Sequence, residues 1–132
     1  MTHSHQKRTI HSDEAPAAIG PYSQGVAAGG FLFVSGQIPL DPASGELVGG
    51  DIREQTHRVI ANIRAVVEAA GGKLDNIVKT TVYLKDIGDF ASVNEAYGEH
   101  FGDTPPARAA FQVAALPKDA DLEIEAVAYL GA

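Results

Sequence analysis

The residues best placed to do chemistry are charges standing on strand-like segments. In Ala107-Arg108-Ala109-Ala110-Phe111-Gln112-Val113, period-two alternation puts Arg108 on one face with Ala110 and Gln112. In Leu122-Glu123-Ile124-Glu125-Ala126-Val127 it groups Glu123 with Glu125 and Val127. Two readings fit this pattern. In the first, Arg108 pairs with Glu123 or Glu125 across strands and stiffens the sheet edge. In the second, Arg108 sits among small alanines to leave room for a ligand carboxylate, which its planar fork takes in two parallel hydrogen bonds. A nearby glutamate then manages a proton or a water.

Other chemistries find little support. The five histidines are His3, His5, His11, His57 and His100. None stands four residues from another on a helix, and neither HExxH nor an EF-hand loop occurs, so no metal site is expected. The absence of GxGxxG and P-loop motifs argues against a nucleotide, and no cofactor is expected. With no cysteine, the chain has no thiol nucleophile, disulfide framework or thiolate metal site. Ten basic residues against seventeen acidic ones give a net charge of −7, with no basic cluster to offset it. Such a field repels phosphate backbones, so nucleic acid is a poor partner. The apolar runs are too short to span a membrane. Met1-Thr2-His3-Ser4-His5-Gln6-Lys7-Arg8 lacks the apolar centre of a signal peptide, and the expected location is the cytoplasm.

The elements that must hold these side chains can be read from periodicity. A length of 132 residues suits one domain, with 1–8 polar and flexible and 9–132 forming a single unit. Residues 9–11 suit a short edge strand. Residues 23–28 and 31–36, around Gly29-Gly30, suit a hairpin. Ile52, Val59, Ile60, Ile63, Val66, Val67 and Ala70 recur at helical spacing, with Asp51 to cap the start and Gly71-Gly72 to end it. Residues 77–85 alternate as a strand. Asp89 is expected to cap a second helix, whose Phe90, Val93, Tyr97 and Phe101 share a face. Strands over 107–115 and 122–130 complete an α+β domain with a mixed sheet packed by two helices.

Two helices cover only one face of a sheet of this size. Yet Phe31-Leu32-Phe33-Val34 and the 107–115 strand are apolar or small on both faces. Strands buried on both sides need a second cover, and another copy of the chain is the expected one.

Several blocks carry a family resemblance. Ile19-Gly20-Pro21-Tyr22-Ser23-Gln24-Gly25, Ser35-Gly36-Gln37-Ile38-Pro39, Val78-Lys79-Thr80-Thr81-Val82-Tyr83-Leu84-Lys85-Asp86, Val93-Asn94, Pro106-Ala107-Arg108, and Leu116-Pro117-Lys118-Asp119 followed by Glu123-Ile124-Glu125-Ala126 resemble the RidA (YjgF) family from about Thr9 to the end. The resemblance implies a chorismate-mutase-like fold, a homotrimer and clefts between subunits. It implies hydrolysis of reactive enamines and imines, such as 2-aminoacrylate and 2-iminopropionate, to 2-keto acids and ammonia. Arg108 then takes the role of carboxylate binder and Glu123 that of positioning or activating water. Tyr22, Ser35, Gly36 and Asn94 line the pocket, and Glu125 is structural. One departure is plain: Ala109-Ala110 stands where many members have a serine and often a cysteine. Two other functions remain. A non-catalytic trimer binding 2-keto acids would use the same arginine, although Glu123 favours catalysis. RNA cleavage, attached to some relatives, sits badly with the charge of −7.

The covering argument predicts that the purified chain self-associates at micromolar concentration, and the resemblance implies that the species seen by sedimentation is a trimer. A monomer under those conditions sinks it.

Overall fold

In a computed structural model, residues 6–131 are described; His3 and His5 fall outside them. The strands are β1 (Arg8–Ile10), β2 (Gly25–Ala28), β3 (Phe31–Gln37), β4 (Ile77–Leu84), β5 (Ala107–Gln112) and β6 (Leu122–Tyr129). The helices are α1 (Ile52–Ala69), between β3 and β4, and α2 (Phe90–Gly98), between β4 and β5. All strands join one sheet in the order β1-β2-β3-β6-β4-β5, in which only β4 and β5 run parallel. This is the expected α+β architecture of a mixed sheet packed by two helices.

Local chemistry explains most element ends. The Asp51 carboxylate accepts from the Glu54 backbone N–H at 2.9 Å, which closes the first turn of α1. After α1, Gly71 takes φ +93° and Gly72 N–H donates to the Val67 carbonyl at 3.0 Å, so the last turn is satisfied. Gly29 and Gly30 both have positive φ, the geometry that a tight hairpin between β2 and β3 needs.

Several element ends differ from expectation: β1 takes in Arg8, expected in the flexible segment, and β2 starts at Gly25 rather than at residue 23. Two of the differences have a visible local cause. Asp89 precedes α2 but makes no capping bond; Asp86 accepts from Gly88 N–H at 2.8 Å and starts a 3₁₀ turn that leads into the helix. β5 stops at Gln112 because its neighbour β4 stops at Leu84. Val113 N–H still reaches the Leu84 carbonyl at 2.9 Å, but Lys85 N–H turns away to Asp121.

The core lies between the helices and one sheet face. Val59, Ile60, Ile63, Val66 and Val67 of α1 pack on Leu32, Val34, Val82, Leu84, Leu122 and Ile124, all buried. The other face has no cover among the described residues. There Phe31, Phe33, Phe111 and Tyr129 are 40–50% exposed. The two-faced apolar strands are therefore covered on one side only. Among the described residues no helix is long and apolar enough to cross a membrane.

The helices are tied together at their polar edge. Arg53 reaches Glu95 at 2.8 Å and Glu99 at 3.2 Å, and the His57 and His100 rings meet at 2.7 Å between Nδ1 and Nε2. Spacing along α1 could not reveal this pair, because His57 lies on α1 and His100 in the turn just after α2. Burial, with the charges of His57 and Arg64, holds His100 below the ordinary imidazole pKa, against the pull of Glu99. A histidine that is harder to protonate when folded favours the folded state above its unfolded pKa. That contribution is lost as pH falls below about 6.5 toward the depressed value. We expect the Tm to hold between about pH 8 and 7 and to drop toward pH 5. The drop should be smaller in His57→Gln, and an equal drop in both proteins rules the pair out as its cause.

Candidate active site

A cleft of about 580 Å³ opens at one end of the sheet. Tyr22, Ser35, Gly36 and Glu123, all expected at a site, line it. Ile19, Ile38, Leu40 and Pro117 give it an apolar wall, and Lys118 stands among its lining residues.

One buried amide builds the loop that forms its rim. Gln24, 3% exposed, accepts from Ser12 N–H at 2.6 Å and donates to the carbonyls of Ser12 at 3.0 Å and Pro16 at 2.8 Å. Those bonds hold the segment before Tyr22 against β2. Gly20 turns the loop with φ +128°, and the Tyr22 hydroxyl accepts from Ile19 N–H at 3.3 Å. Tyr22 thus braces its own loop while its half-exposed ring borders the cleft. Ser35 donates its hydroxyl to the Ser23 carbonyl and its N–H to the Gln24 carbonyl, which fixes β3 against the same loop.

Glu123 is the distinctive group of the cleft. Burial, with the neighbouring Glu125 charge, raises its carboxyl pKa. No donor among the described residues hydrogen-bonds it. Gly36 explains how the carboxylate fits: a Cβ there would stand 2.8 Å from the Glu123 carboxyl carbon. Gly36 does not occupy the left-handed region, so the glycine supplies space rather than an unusual turn. It lies where β3 slips register against β6, between Val34 and Gln37.

Arg108 and Asn94 stand elsewhere. Arg108 pairs in register with Thr80 on β4, and Thr80 pairs with Ala126 on β6, all on the helix-covered face. Glu123 pairs with Tyr83, which pairs with Phe111, on the bare face. Arg108 and Glu123 therefore point to opposite sides of the sheet, with β4 between their strands. This overturns the inter-strand ion pair. Alternation placed each residue correctly on its own strand, but β5 neighbours β4 rather than β6. Arg108 is exposed at the sheet edge, where its guanidinium carbon lies 5.3 Å from the Phe90 ring centre and 5.0 Å from that of Tyr97. Asn94 lies on the same stripe of α2 as those two rings, and its Oδ1 is buried without a hydrogen-bond partner.

Sequence reasoning missed Gln24 and both rings beside Arg108. Phe90 and Tyr97 read as core residues, and only the hydroxyl on a buried stripe hinted at more. Gln24 stands in one of the motif blocks, but nothing in the sequence told its role, since its partners come together only on folding. Among the described residues no cluster of three or more His, Asp or Glu side chains is arranged to hold a metal ion.

These features define a class, a small α+β domain with a sheet-end cleft and a bare apolar sheet face. Residues 12–130 match the family described as Endoribonuclease L-PSP. The chain belongs to that family, the RidA (YjgF) family whose motif blocks it carries. A RutC family protein of Pyrococcus abyssi is 57% identical over 123 residues, covering 93% of this chain and 97% of its own. The 2-iminobutanoate/2-iminopropanoate deaminase of Homo sapiens is 50% identical over 125 residues, covering 95% and 91%. Among solved structures, the YjgF gene product of E. coli superposes with a TM-score of 0.87 at 50% identity, over 92% of this chain and 98% of that one. E. coli TdcF with bound serine gives 0.88 at 45%, over 94% and 99%.

The fit of Gly36 against Glu123 can be tested directly. Gly36→Ala should push the carboxylate out toward water and return its pKa toward the ordinary carboxylate value, read by carboxyl-carbon NMR titration. An unchanged titration overturns the spacing role.

Proposed function

We propose that this protein hydrolyses 2-imino acids and their enamine tautomers to 2-keto acids and ammonia, at clefts shared between subunits of a homotrimer. The observation that carries the reading is the separation of Arg108 from Glu123. An exposed guanidinium with no carboxylate partner among the described residues and a pKa-raised carboxyl lie on opposite faces of one sheet, so a small ligand touches both only where two copies meet. The bare face with Phe31, Phe33, Phe111 and Tyr129 supplies the apolar contact such a meeting needs. The deaminase name of the human relative and the serine bound to TdcF support a ligand with an amino-acid skeleton.

The chemistry asks little of the protein. An enamine such as 2-aminoacrylate tautomerises to an imine whose C2 is electrophilic. Arg108 holds the substrate carboxylate. Glu123 takes a proton from water as the water oxygen bonds to C2 and the C=N electron pair moves to nitrogen. The protonated Glu123 then gives that proton to nitrogen. As the C–N bond of the carbinolamine breaks, its hydroxyl proton passes to the nitrogen by way of Glu123, ammonia leaves and the 2-keto acid remains. The raised pKa of Glu123 suits a group that both accepts and returns a proton. Orientation plus one acid–base group suffices for an imine that already hydrolyses slowly in water.

Generating 2-aminoacrylate in place with a serine dehydratase, and timing its loss, tests the reading. Arg108→Ala should lower kcat/KM by about 30- to 5,000-fold, the equivalent of roughly 2–5 kcal/mol. Arg108→Lys should recover little, since an ammonium cannot copy the planar fork. Glu123→Gln should remove an acid limb of the pH–kcat profile that lies above the ordinary carboxylate range. A wild-type protein that binds the 2-keto acid without speeding imine loss would make it a binding protein instead. A stable, fully active Arg108→Ala protein refutes the role of Arg108.

A further inference from the structure

The Arg108 guanidinium is held by rings rather than by an anion, and the two rings are fixed differently. Phe90, at the start of α2, is half-buried and held by packing. Tyr97 is 6% exposed, and its hydroxyl meets the Thr80 hydroxyl at 2.7 Å inside the core. Thr80 is also the residue directly opposite Arg108 in the β4–β5 register. Strand register, a buried hydrogen bond and a cation–ring contact thus close a circuit through three residues. The Phe101 ring packs against Tyr97 at 4.7 Å between centres without any hydroxyl, so packing alone does not explain the phenol.

We propose that Tyr97, pinned through Thr80, is a positioning residue that holds the Arg108 guanidinium in place for an incoming carboxylate. This rests on the reading of Arg108 as the carboxylate anchor. A ring suits the task better than an acid. An aspartate or glutamate in its place would occupy the same N–H donors that the substrate needs and would compete with it. An aromatic face attracts the cation through its quadrupole and leaves those donors free. It also limits the freedom of a long side chain before the ligand arrives, so less ordering remains to be done on binding. Tyr97 touches no reacting atom in this account and acts only through Arg108.

The test compares wild type, Tyr97→Leu, Tyr97→Phe, Arg108→Ala and the double variant Arg108→Ala/Tyr97→Leu. The readouts are imine hydrolysis, pyruvate affinity by calorimetry, and Tm. Tyr97→Leu should raise KM and weaken pyruvate binding about 10-fold, with kcat within about 3-fold of wild type. Tyr97→Phe, which keeps the ring, should restore most of the affinity. In the Arg108→Ala background, Tyr97→Leu should change kcat/KM no further while lowering Tm as much as it does alone, the mark of a residue acting through its neighbour. Equal losses of kcat/KM in both backgrounds, or unchanged pyruvate affinity in Tyr97→Leu, overturn the proposal. Should Tyr97→Leu not fold, Phe90→Leu carries the same comparison from the half-buried side. Arg108→Ala binding pyruvate as well as wild type would bring down the anchor reading and this proposal with it. A binding loss in Arg108→Ala with none in Tyr97→Leu would bring down this proposal alone.

Discussion

Successive side chains of a β-strand leave opposite faces of the sheet, and residues paired across strands share a face. That parity sets the terms for everything this domain can do. Through the register of β4 with both β5 and β6, it sends Arg108 to the helix side and Glu123 to the bare side. No side-chain rotation undoes this. A one-residue slip of β6 would bring Glu123 around, but it would also turn Leu122, Ile124, Ala126 and Ala128 out of the core. Burying that apolar row therefore keeps the two charged groups apart within one chain. Any chemistry that needs both must draw on two chains.

The same parity explains why the bare face is apolar. Phe31 and Phe33 alternate with Leu32 and Val34 on a strand whose other side lies under α1. Tyr129 and Phe111 extend the patch on both flanks, in ring contacts with Phe31 and Tyr83. Exposed rings at this density are poor surface for a lone domain in water and good surface for contact. Glu123 and Glu125 stand on that face beside the rings, and burial there would withdraw them further from water. The raised pKa of Glu123 already points in that direction.

What could be read from the sequence was whatever depends on neighbours along the chain. Asp51 capping α1, Gly71-Gly72 ending it, the Gly29-Gly30 hairpin and the apolar stripe of α1 are local rules, and each holds. Alternation also placed Arg108 with Ala110 and Gln112, and Glu123 with Glu125, correctly. What could not be read was which strands become neighbours. The parallel return of β5 beside β4 is decided by α2 packing over the sheet, and it separates Arg108 from β6. The same limit hid His57 against His100, Gln24 against the loop after Ser12, and Tyr97 against Thr80. The Asp89 cap failed for a local reason: Asp86, three residues earlier, offers its carboxylate to Gly88 N–H and takes the start of the turn. Motif blocks did reach across the fold, bringing Tyr22, Ser35, Gly36 and Glu123 to one cleft although they lie on three separate segments.

Small residues surround both charged groups for related reasons. Gly36 gives up a side chain so that the Glu123 carboxylate can lie against β3, and Ala110, on the same face of β5 as Arg108, leaves room beside it. Among the described residues neither charge finds a hydrogen-bonded or ionic partner. A carboxyl with a raised pKa and no donor is worse off than one in water, and a guanidinium resting on rings gains only about 0.5–1 kcal/mol at an exposed site. A domain shaped for stability alone would fill the space beside Gly36 and give Arg108 an acidic partner on α2. The small residues keep both charges available, and the Tyr97–Thr80 bond lies on the buried side of Arg108, away from the approach to it. Cost and access thus fall on the same few residues, as expected where local stability is given up to hold groups ready for a ligand.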